Sequence, residues 1–221
     1  MRIFAIGDIH GHLVPLDAIL SRLELNVGDT VVTLGDYIDR GPDSAGVIRR
    51  LIQLKERCNL IALRGNHDSL MLESRDDPDS LTKWIRAGTD ASLRSYGGAA
   101  GKLCDIPPDH WEFVASTLLY YETKTHIFVH AGLVPDKPLN QQPESVLLCQ
   151  MFDRLLPHVS GKMIVCGHTH QLEGVPKFKK YAICLDTNII GPDGYLSCLN
   201  VASGNVFRAN AYGKIDALQI Y

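Results

Sequence analysis

The chain has 221 residues and a mass of 24.4 kDa, the size of one ordinary domain, and 45% of its residues are hydrophobic. Its formal net charge is −3 and its pI is near 6.3, so no basic excess indicates a nucleic-acid-binding or membrane-surface protein. We therefore expect a single domain over residues 1–221, with no nucleic-acid or membrane partner.

Six cysteines are spread along the chain without any short-spaced pair. Several lie in apolar runs such as "MIVCG" and "YAICLD", where cysteine behaves as a small buried hydrophobic residue. The N-terminal "MRIFAIGDIHG" becomes polar too early for a secretory signal, and no apolar run approaches the roughly 20 residues that span a bilayer. These features favour a cytoplasmic protein over a secreted disulfide scaffold.

Apolar runs and helical patterns alternate at the start of the chain. The runs "RIFAIG", "DTVVTLG" and "CNLIALRG" predict three strands, and "PLDAILSRLEL" and "DSAGVIRRLIQLKER" between them predict helices. This βαβαβ order predicts a parallel sheet with crossover helices. Three further helical segments follow, namely "DSLTKWIRAG", "TDASLRSYG" and "PDHWEFVASTL".

From Tyr120 onward the chain is rich in predicted strands. They are "LYYET", "HIFVHAG", "KMIVCGH", "YAICLDT", "GYLSCLNVA" and "NVFRAN". The last two are separated by "SG", which predicts a hairpin. The one concentrated basic run, "KFKK" at residues 177–180, is typical of a solvated loop.

Predicted core strands end in polar clusters that contain or adjoin a glycine. The clusters are "GDIHG", "GDYIDRG", "RGNHD", "VHAG" and "GHTH". Ligands of open α/β sheets bind in the crevice at the carboxyl ends of the strands. Five clusters, each at a strand end, therefore predict one common site.

The residue types in these clusters are those of metal ligands. Aspartate, neutral histidine and the amide oxygen of asparagine bind divalent ions such as Mn²⁺, Fe²⁺ and Zn²⁺. One ion is too few for so many ligands, whereas two ions about 3.5–4 Å apart that share a carboxylate form the usual site for phosphoester hydrolysis. Each cluster alone has a structural explanation, such as a surface ion pair of Asp39 with Arg40, but five in order favour a site.

These five motifs, in this order, resemble the signature of the calcineurin-like metallophosphoesterases, and most of all the small bacterial and phage phosphoprotein phosphatases. The segments "WIRAGTDASLRSYGG" and "ICLDTNIIGPDGYLSCLNV" are also similar to segments of those enzymes, so the resemblance covers nearly the whole chain. It implies an α/β fold in which a β-sandwich of two mixed sheets is flanked by helices.

The resemblance also implies a ligand set for two divalent ions bridged by Asp36. Asp8 and His10 would join Asp36 at the first ion. The ligands of the second ion would be Asp36, Asn66, His130 and His168. We expect Mn²⁺ at both positions, with Fe, Zn and Ni as the alternatives.

Four further residues take catalytic and substrate-binding roles by the same resemblance. His67 would be the general acid that protonates the leaving oxygen, and Asp39 would hold its other ring nitrogen. Arg40 and Arg64 would bind the phosphoryl oxygens and oppose their charge.

The motif "GHTH" contains a second histidine, His170, two residues after His168. In an extended segment, residues two apart can face the same way. In the wider metallophosphoesterases the corresponding histidine reaches the first metal, whereas protein phosphatases usually have none there. We therefore expect His170 to be a ligand of the first ion.

One departure from the phosphatase pattern concerns a substrate-binding arginine between the "HAG" and "GHT" motifs. Here that segment reads "VLLCQMFDRLLP", and the simplest alignment places Met151 at the arginine and Cys149 at a tryptophan. Arg154 lies one helical turn further on, where it could either reach the phosphate or remain on the surface. The phosphate clamp is thus expected to be one cation short.

The sequence therefore predicts a phosphoric monoester hydrolase, and first of all a serine/threonine protein phosphatase in which a hydroxide attacks phosphorus in line. Symmetrical bis(5'-nucleosyl)-tetraphosphate hydrolysis is the alternative enzyme function. A non-catalytic scaffold would have lost ligands or the general acid, and both are present. The expected partner is a phosphorylated protein or small phosphoester, and a monomer is favoured over an oligomer.

Overall fold

Eleven strands and seven helices make up the computed structural model, which describes residues 2–220. The strands are β1 Ile3–Ile6, β2 Thr30–Thr33, β3 Asn59–Ala62, β4 Tyr120–Glu122, β5 His126–Val129, β6 Met163–Cys166, β7 Lys177–Lys179, β8 Ala182–Cys184, β9 Tyr195–Asn200, β10 Asn205–Asn210 and β11 Ile215–Gln219. The helices are α1 Leu13–Arg22, α2 Ser44–Leu54, α3 Asn66–Ser74, α4 Pro78–Arg86, α5 Asp90–Gly97, α6 Pro108–Ala115 and α7 Glu144–Cys149.

The strands form two mixed sheets. The first has the order β11-β10-β9-β1-β2-β3, with β1, β2 and β3 parallel and the three C-terminal strands antiparallel. The second has the order β4-β5-β6-β8-β7, with β5, β6 and β8 parallel between two antiparallel edge strands. The predicted α/β class with two mixed sheets flanked by helices is confirmed.

The two sheets bury a common apolar layer. Ala5 and Val32 of the first sheet belong to the same cluster as Phe128 and Val165 of the second, and all four are fully buried. A second cluster joins the first sheet to α1 and α2, and a third joins the second sheet to α7. The apolar runs of the sequence are therefore strands with both faces covered.

Sequence features set the starts of individual helices. The side chain of Asp43 accepts a hydrogen bond from the backbone N–H of Gly46 at 2.7 Å and caps α2. Asp77 caps α4 in the same way through the backbone N–H of Ser80, and Pro78 occupies the first helical position.

Three elements differ from the sequence-based expectation or were not predicted. The basic run at residues 177–180, expected as a loop, contributes β7, an edge strand that pairs antiparallel with β8. Its lysines contact the short 3-10 helix Phe152–Arg154, because Lys177 pairs with Asp153 and Lys179 donates to the carbonyl of Phe152. The strand β11 and the helix α3 had no distinct apolar pattern, and the sequence did not predict them.

The predicted hairpin is confirmed, since β9 and β10 pair antiparallel around the "SG" turn. Within residues 2–220, no helix is both long enough and apolar enough to cross a bilayer.

Replacement of Phe128 by alanine is expected to destabilise the protein by about 3–5 kcal/mol, because a fully buried ring between two sheets leaves a cavity. The same change at Phe178, which is 43% exposed on the edge strand β7, is expected to cost less than about 1 kcal/mol. Chemical denaturation of both variants measures the difference. Equal losses would contradict the position of Phe128 in the shared core.

Candidate metal centre

The loops after the parallel strands of both sheets converge on one site. The backbone N–H of His168, after β6, donates to both carboxylate oxygens of Asp8, after β1, at 3.1 and 3.0 Å. Asn66, after β3, lies with its Oδ1 3.0 Å from His130 Nε2 and 2.9 Å from His168 Nδ1. Four of the five predicted clusters are therefore in contact across the sandwich.

Asp36 lies between two groups of candidate ligands. Its Oδ2 is 3.6 Å from His10 Nε2, and its Oδ1 is 3.7 Å from His130 Nε2. Asp36 belongs to two groups whose potential ligand atoms all lie within 4.8 Å of one another. One group contains His10 and His67, and the other contains His130 and His168. Because its two oxygens face different histidines, Asp36 has the geometry of a bridging carboxylate.

Asp8 is a buried carboxylate with no lysine or arginine partner among the described residues. Burial raises its pKa well above the usual value, and the nearby carboxylates of Asp186 and Asp36 raise it further. A divalent cation would offset this repulsion, and buried oxygen and imidazole donors suit such an ion. The residues present therefore fit two divalent metals.

The histidine side chains are held in defined orientations. His10 Nδ1 lies 2.9 Å from the carbonyl oxygen of Ile38, and His130 Nδ1 lies 2.8 Å from that of Leu34. A carbonyl can only accept, so Nδ1 carries the proton in each ring. The Nε2 lone pairs of both rings are then free to bind a metal, as in most protein metal sites.

The backbone around the site is strained. Positive φ angles occur at His10 (44°), Asp36 (51°), Asp39 (71°), Arg40 (69°) and His168 (64°). Each costs about 1–3 kcal/mol for a residue with a side chain, and such angles cluster at functional sites. Packing of the surrounding strands must offset this strain.

Two glycines allow the carboxylates to approach the loops closely. A Cβ on Gly65 would collide with Asp36 Oδ1, and a Cβ on Gly167 would collide with Asp8 Oδ1. A side chain at either position would displace a candidate ligand, which explains why glycine precedes Asn66 in "RGNHD".

His67 and Asp39 form a buried dyad. His67 Nδ1 lies 2.6 Å from Asp39 Oδ2, and Asp39 also accepts hydrogen bonds from Trp84 Nε1 at 2.9 Å and Ser92 Oγ at 2.7 Å. Burial lowers the pKa of His67, but the carboxylates of Asp36 and Asp39 outweigh burial and raise that pKa above its usual value. The dyad can therefore present a proton from Nε2.

The two arginines predicted to bind phosphate lie in different settings. Arg40 is exposed, and its charge acts on His67. Arg64 donates from Nε to Thr117 Oγ1 at 3.1 Å, and from Nη2 to the carbonyl oxygens of Ala115 and Thr117. Most of the Arg64 guanidinium is thus bonded to the end of α6.

The segment that departs from the phosphatase pattern is exposed. Met151 is 47% exposed and follows the end of α7 at Cys149. Arg154 is exposed at the end of a short 3-10 helix, Phe152–Arg154, rather than on a continuation of α7. Neither side chain supplies a buried cation to the site.

His170 lies near His10, with a distance of 6.4 Å between the two ring centroids. Its Nδ1 is 2.7 Å from Asp186 Oδ2. Sequence reasoning did not single out Asp186, although it lies two residues after the end of β8, as Asp8 does after β1, and so shows the strand-end signal of the other clusters.

Asp68 is a second residue that sequence reasoning left without a role. Its fully buried carboxylate accepts hydrogen bonds from the backbone N–H groups of Asp36, Tyr37 and Gly65 at 2.8, 3.1 and 2.8 Å. Burial and the charge of Asp36 raise its pKa to about 7. Asp68 therefore ties the loop after β2 to the loop after β3.

The sequence is similar to those of proteins described as phosphoesterases. A profile of the family described as calcineurin-like phosphoesterase matches residues 1–172. The symmetrical bis(5'-nucleosyl)-tetraphosphatase of Pseudomonas entomophila (strain L48) is 31% identical over 147 residues, which are 65% of this chain and 47% of that protein. The enzyme of the same description from Cellvibrio japonicus (strain Ueda107) is 29% identical over 174 residues, or 73% and 58% of the two chains. The chain spans about half the length of the curated relatives it matches.

Solved structures share the fold at lower identity. A candidate diadenosine tetraphosphatase aligns over 100% of this chain and 94% of its own, with a TM-score of 0.66 and 23% identity. A serine/threonine phosphatase of Saccharomyces cerevisiae similar to human phosphatase PP5 aligns over 100% and 80%, with a TM-score of 0.63 and 17% identity. At these identities the two structures show a common fold.

Replacement of Asp36 by asparagine is expected to weaken binding of both metals, because one neutral amide oxygen cannot replace two charged ligand oxygens. Metal analysis should find less bound metal per chain in the purified variant than in the unchanged protein, and kcat should fall by several orders of magnitude. The control is Asp17→Asn, a half-exposed carboxylate of α1 that pairs with Arg50. Unchanged metal content in the Asp36 variant would refute the bridging role.

Proposed function

The chain belongs to the calcineurin-like phosphoesterase family, and we propose that within this family it hydrolyses dinucleoside polyphosphates symmetrically. The resemblance noted in the sequence is confirmed for the family and for phosphate-ester hydrolysis. The relatives near 30% identity are described as symmetrical tetraphosphatases, which supports the alternative function over the serine/threonine phosphatase expected first.

The distribution of positive charge also favours this substrate class. Met151 stands where the phosphatase pattern has an arginine, and most of Arg64 is bonded to α6. A phosphoserine carries close to two negative charges on one phosphorus at pH 7, whereas an internal phosphate of a polyphosphate chain carries one. A site with fewer cations is better matched to the internal phosphate.

The single observation that carries the hydrolytic mechanism is the position of Asp36 between two ligand groups. We assign the first ion to Asp8, His10, Asp36 and His170, and the second to Asp36, Asn66, His130 and His168. Within residues 2–220, His67 belongs to the same group of close atoms as His10 and Asp36, but its Nδ1 is bonded to Asp39, and we assign its Nε2 to proton transfer rather than to a metal.

When bound by these residues, two divalent ions would make a water-derived nucleophile available near neutral pH and would neutralise charge on the phosphoryl oxygens. This nucleophile would form the new bond to phosphorus as the bond to the leaving oxygen breaks on the opposite side. His67 gives the proton on Nε2 to that oxygen, and Asp39 stabilises the charged ring beforehand. Arg40 binds the phosphoryl oxygens at the open side of the site.

Diadenosine tetraphosphate is expected to give a higher kcat/KM than phosphoserine or phosphotyrosine peptides, with two equal nucleoside diphosphates as products. Rates are measured with Mn²⁺, Fe²⁺, Zn²⁺ and Ni²⁺ on all three substrates, and products are separated by ion-exchange chromatography. Asp36→Asn serves as the inactive control in each assay. A higher kcat/KM on phosphopeptides would restore the serine/threonine phosphatase assignment.

Replacement of His67 by asparagine is expected to slow hydrolysis of an alkyl phosphate by about 10²–10⁴-fold, because a poor leaving oxygen needs the proton. The loss should be much smaller on p-nitrophenyl phosphate, whose leaving group departs readily as an anion. Steady-state rates on the two substrates give the ratio. Similar losses on both would show that His67 positions substrate without protonating it.

A further inference from the structure

We propose that Asp186 is a positioning residue that holds the His170 ring with Nδ1 protonated, so that Nε2 faces the first metal. This inference rests on the dinuclear site of the proposed function. It adds an aspartate from the loop after β8 to the five clusters that the motifs define.

Asp186 holds His170 through both its side chain and its backbone. Its Oδ2 lies 2.7 Å from His170 Nδ1, and its carbonyl oxygen accepts the backbone N–H of Gln171 at 2.8 Å. Its other carboxylate oxygen accepts the backbone N–H of Asn188 at 3.1 Å. The carboxylate is therefore anchored on one side and bonded to the ring on the other.

The arrangement repeats that of two other histidines of the site. His10 and His130 each place Nδ1 against a backbone carbonyl and turn Nε2 toward Asp36. His170 has a carboxylate in place of the carbonyl, and a charged acceptor gives the stronger hydrogen bond. Its side chain is also 36% exposed, whereas those of His10 and His130 are buried, so packing alone holds it less firmly.

The ring positions assign His170 to the first ion rather than the second. Its centroid is 6.4 Å from that of His10, while His168 lies 5.1 Å from His130. The two histidines of "GHTH" thus have different ring neighbours, His10 for His170 and His130 for His168. Asp186 itself is 2% exposed, so its charge is directed at the site and not at solvent.

The test measures metal binding by isothermal calorimetry, with Mn²⁺ added to chelator-stripped protein. Asp186→Ala is expected to weaken one of the two binding steps by about 10–100-fold. His170→Ala should weaken the same step at least as much, and the double variant should be no weaker than His170→Ala. Unchanged affinities in Asp186→Ala, or losses that add in the double variant, would overturn the proposal.

A spectroscopic measurement separates positioning from a general structural role. In the metal-free protein, ¹⁵N NMR of the neutral His170 ring should show the proton on Nδ1, and in Asp186→Ala the proton should move to Nε2 or exchange between both. The matched control is Asp29→Ala, since Asp29 is also 2% exposed but is bonded to Arg2 at the opposite end of β2. Asp29→Ala should leave both metal affinities and the His170 spectrum unchanged.

If Asp186→Ala does not fold, Asp186→Asn replaces it, because the amide keeps the shape and one acceptor but loses the charge. The same binding step should then weaken by a smaller factor, and an unchanged affinity together with an unchanged His170 spectrum would refute the role. Metal binding and substrate turnover are separate readouts. Two intact binding steps without hydrolysis of any phosphoester would refute the proposed function and leave the role of Asp186 standing.

Discussion

The repulsion among buried carboxylates is the constraint on which the rest of the structure depends. Asp8, Asp36 and Asp186 are each 2% exposed, and no lysine or arginine pairs with them among the described residues. Burying one unpaired charge costs several kcal/mol, and neighbouring like charges add to that cost. The cluster therefore needs positive charge beside it, which bound cations or protonated histidines such as His10, His130 and His170 would supply.

The two sheets supply the rigidity that such a cluster requires. Each loop that carries candidate ligands leaves a parallel strand of the sandwich, and several of these loops adopt positive φ angles that an isolated peptide would avoid. Asp68 bonds three backbone N–H groups across two of these loops. Strain at the site and stability in the core are therefore linked, because packing of the sandwich offsets the free energy that the strained loop conformations cost.

Much of the fold and part of the site could be predicted because their signals are local. A short apolar run predicts a strand, and Asp, His or Asn just after such a run predicts a cluster of ligands at the strand end. Contacts between distant segments have no such signal. Trp84 and Ser92 lie 45 and 53 positions from Asp39, so only the folded chain shows that they hold its carboxylate.

The same locality explains what was missed or expected wrongly. The lysine-rich β7 forms because β8 offers it a free edge, a fact absent from its own sequence. The hydrogen bonds of Arg64 depend on where α6 ends, and the motif around Arg64 carries no information about that position. Motifs thus identify residue types for chemistry, while the tertiary structure decides which of their atoms remain available.

The hydrogen bond from Trp84 to Asp39 gives the protein an internal optical reporter. Trp84 is one of two tryptophans in the chain and is fully buried, and its indole N–H contacts the carboxylate that holds His67. Indole emission shifts with the electric field at the ring, so its wavelength will follow changes in the charge of the dyad. The other tryptophan, Trp111 of α6, packs its ring against the guanidinium of Arg75. Its replacement by phenylalanine would leave Trp84, beside the dyad of His67 and Asp39, as the single tryptophan.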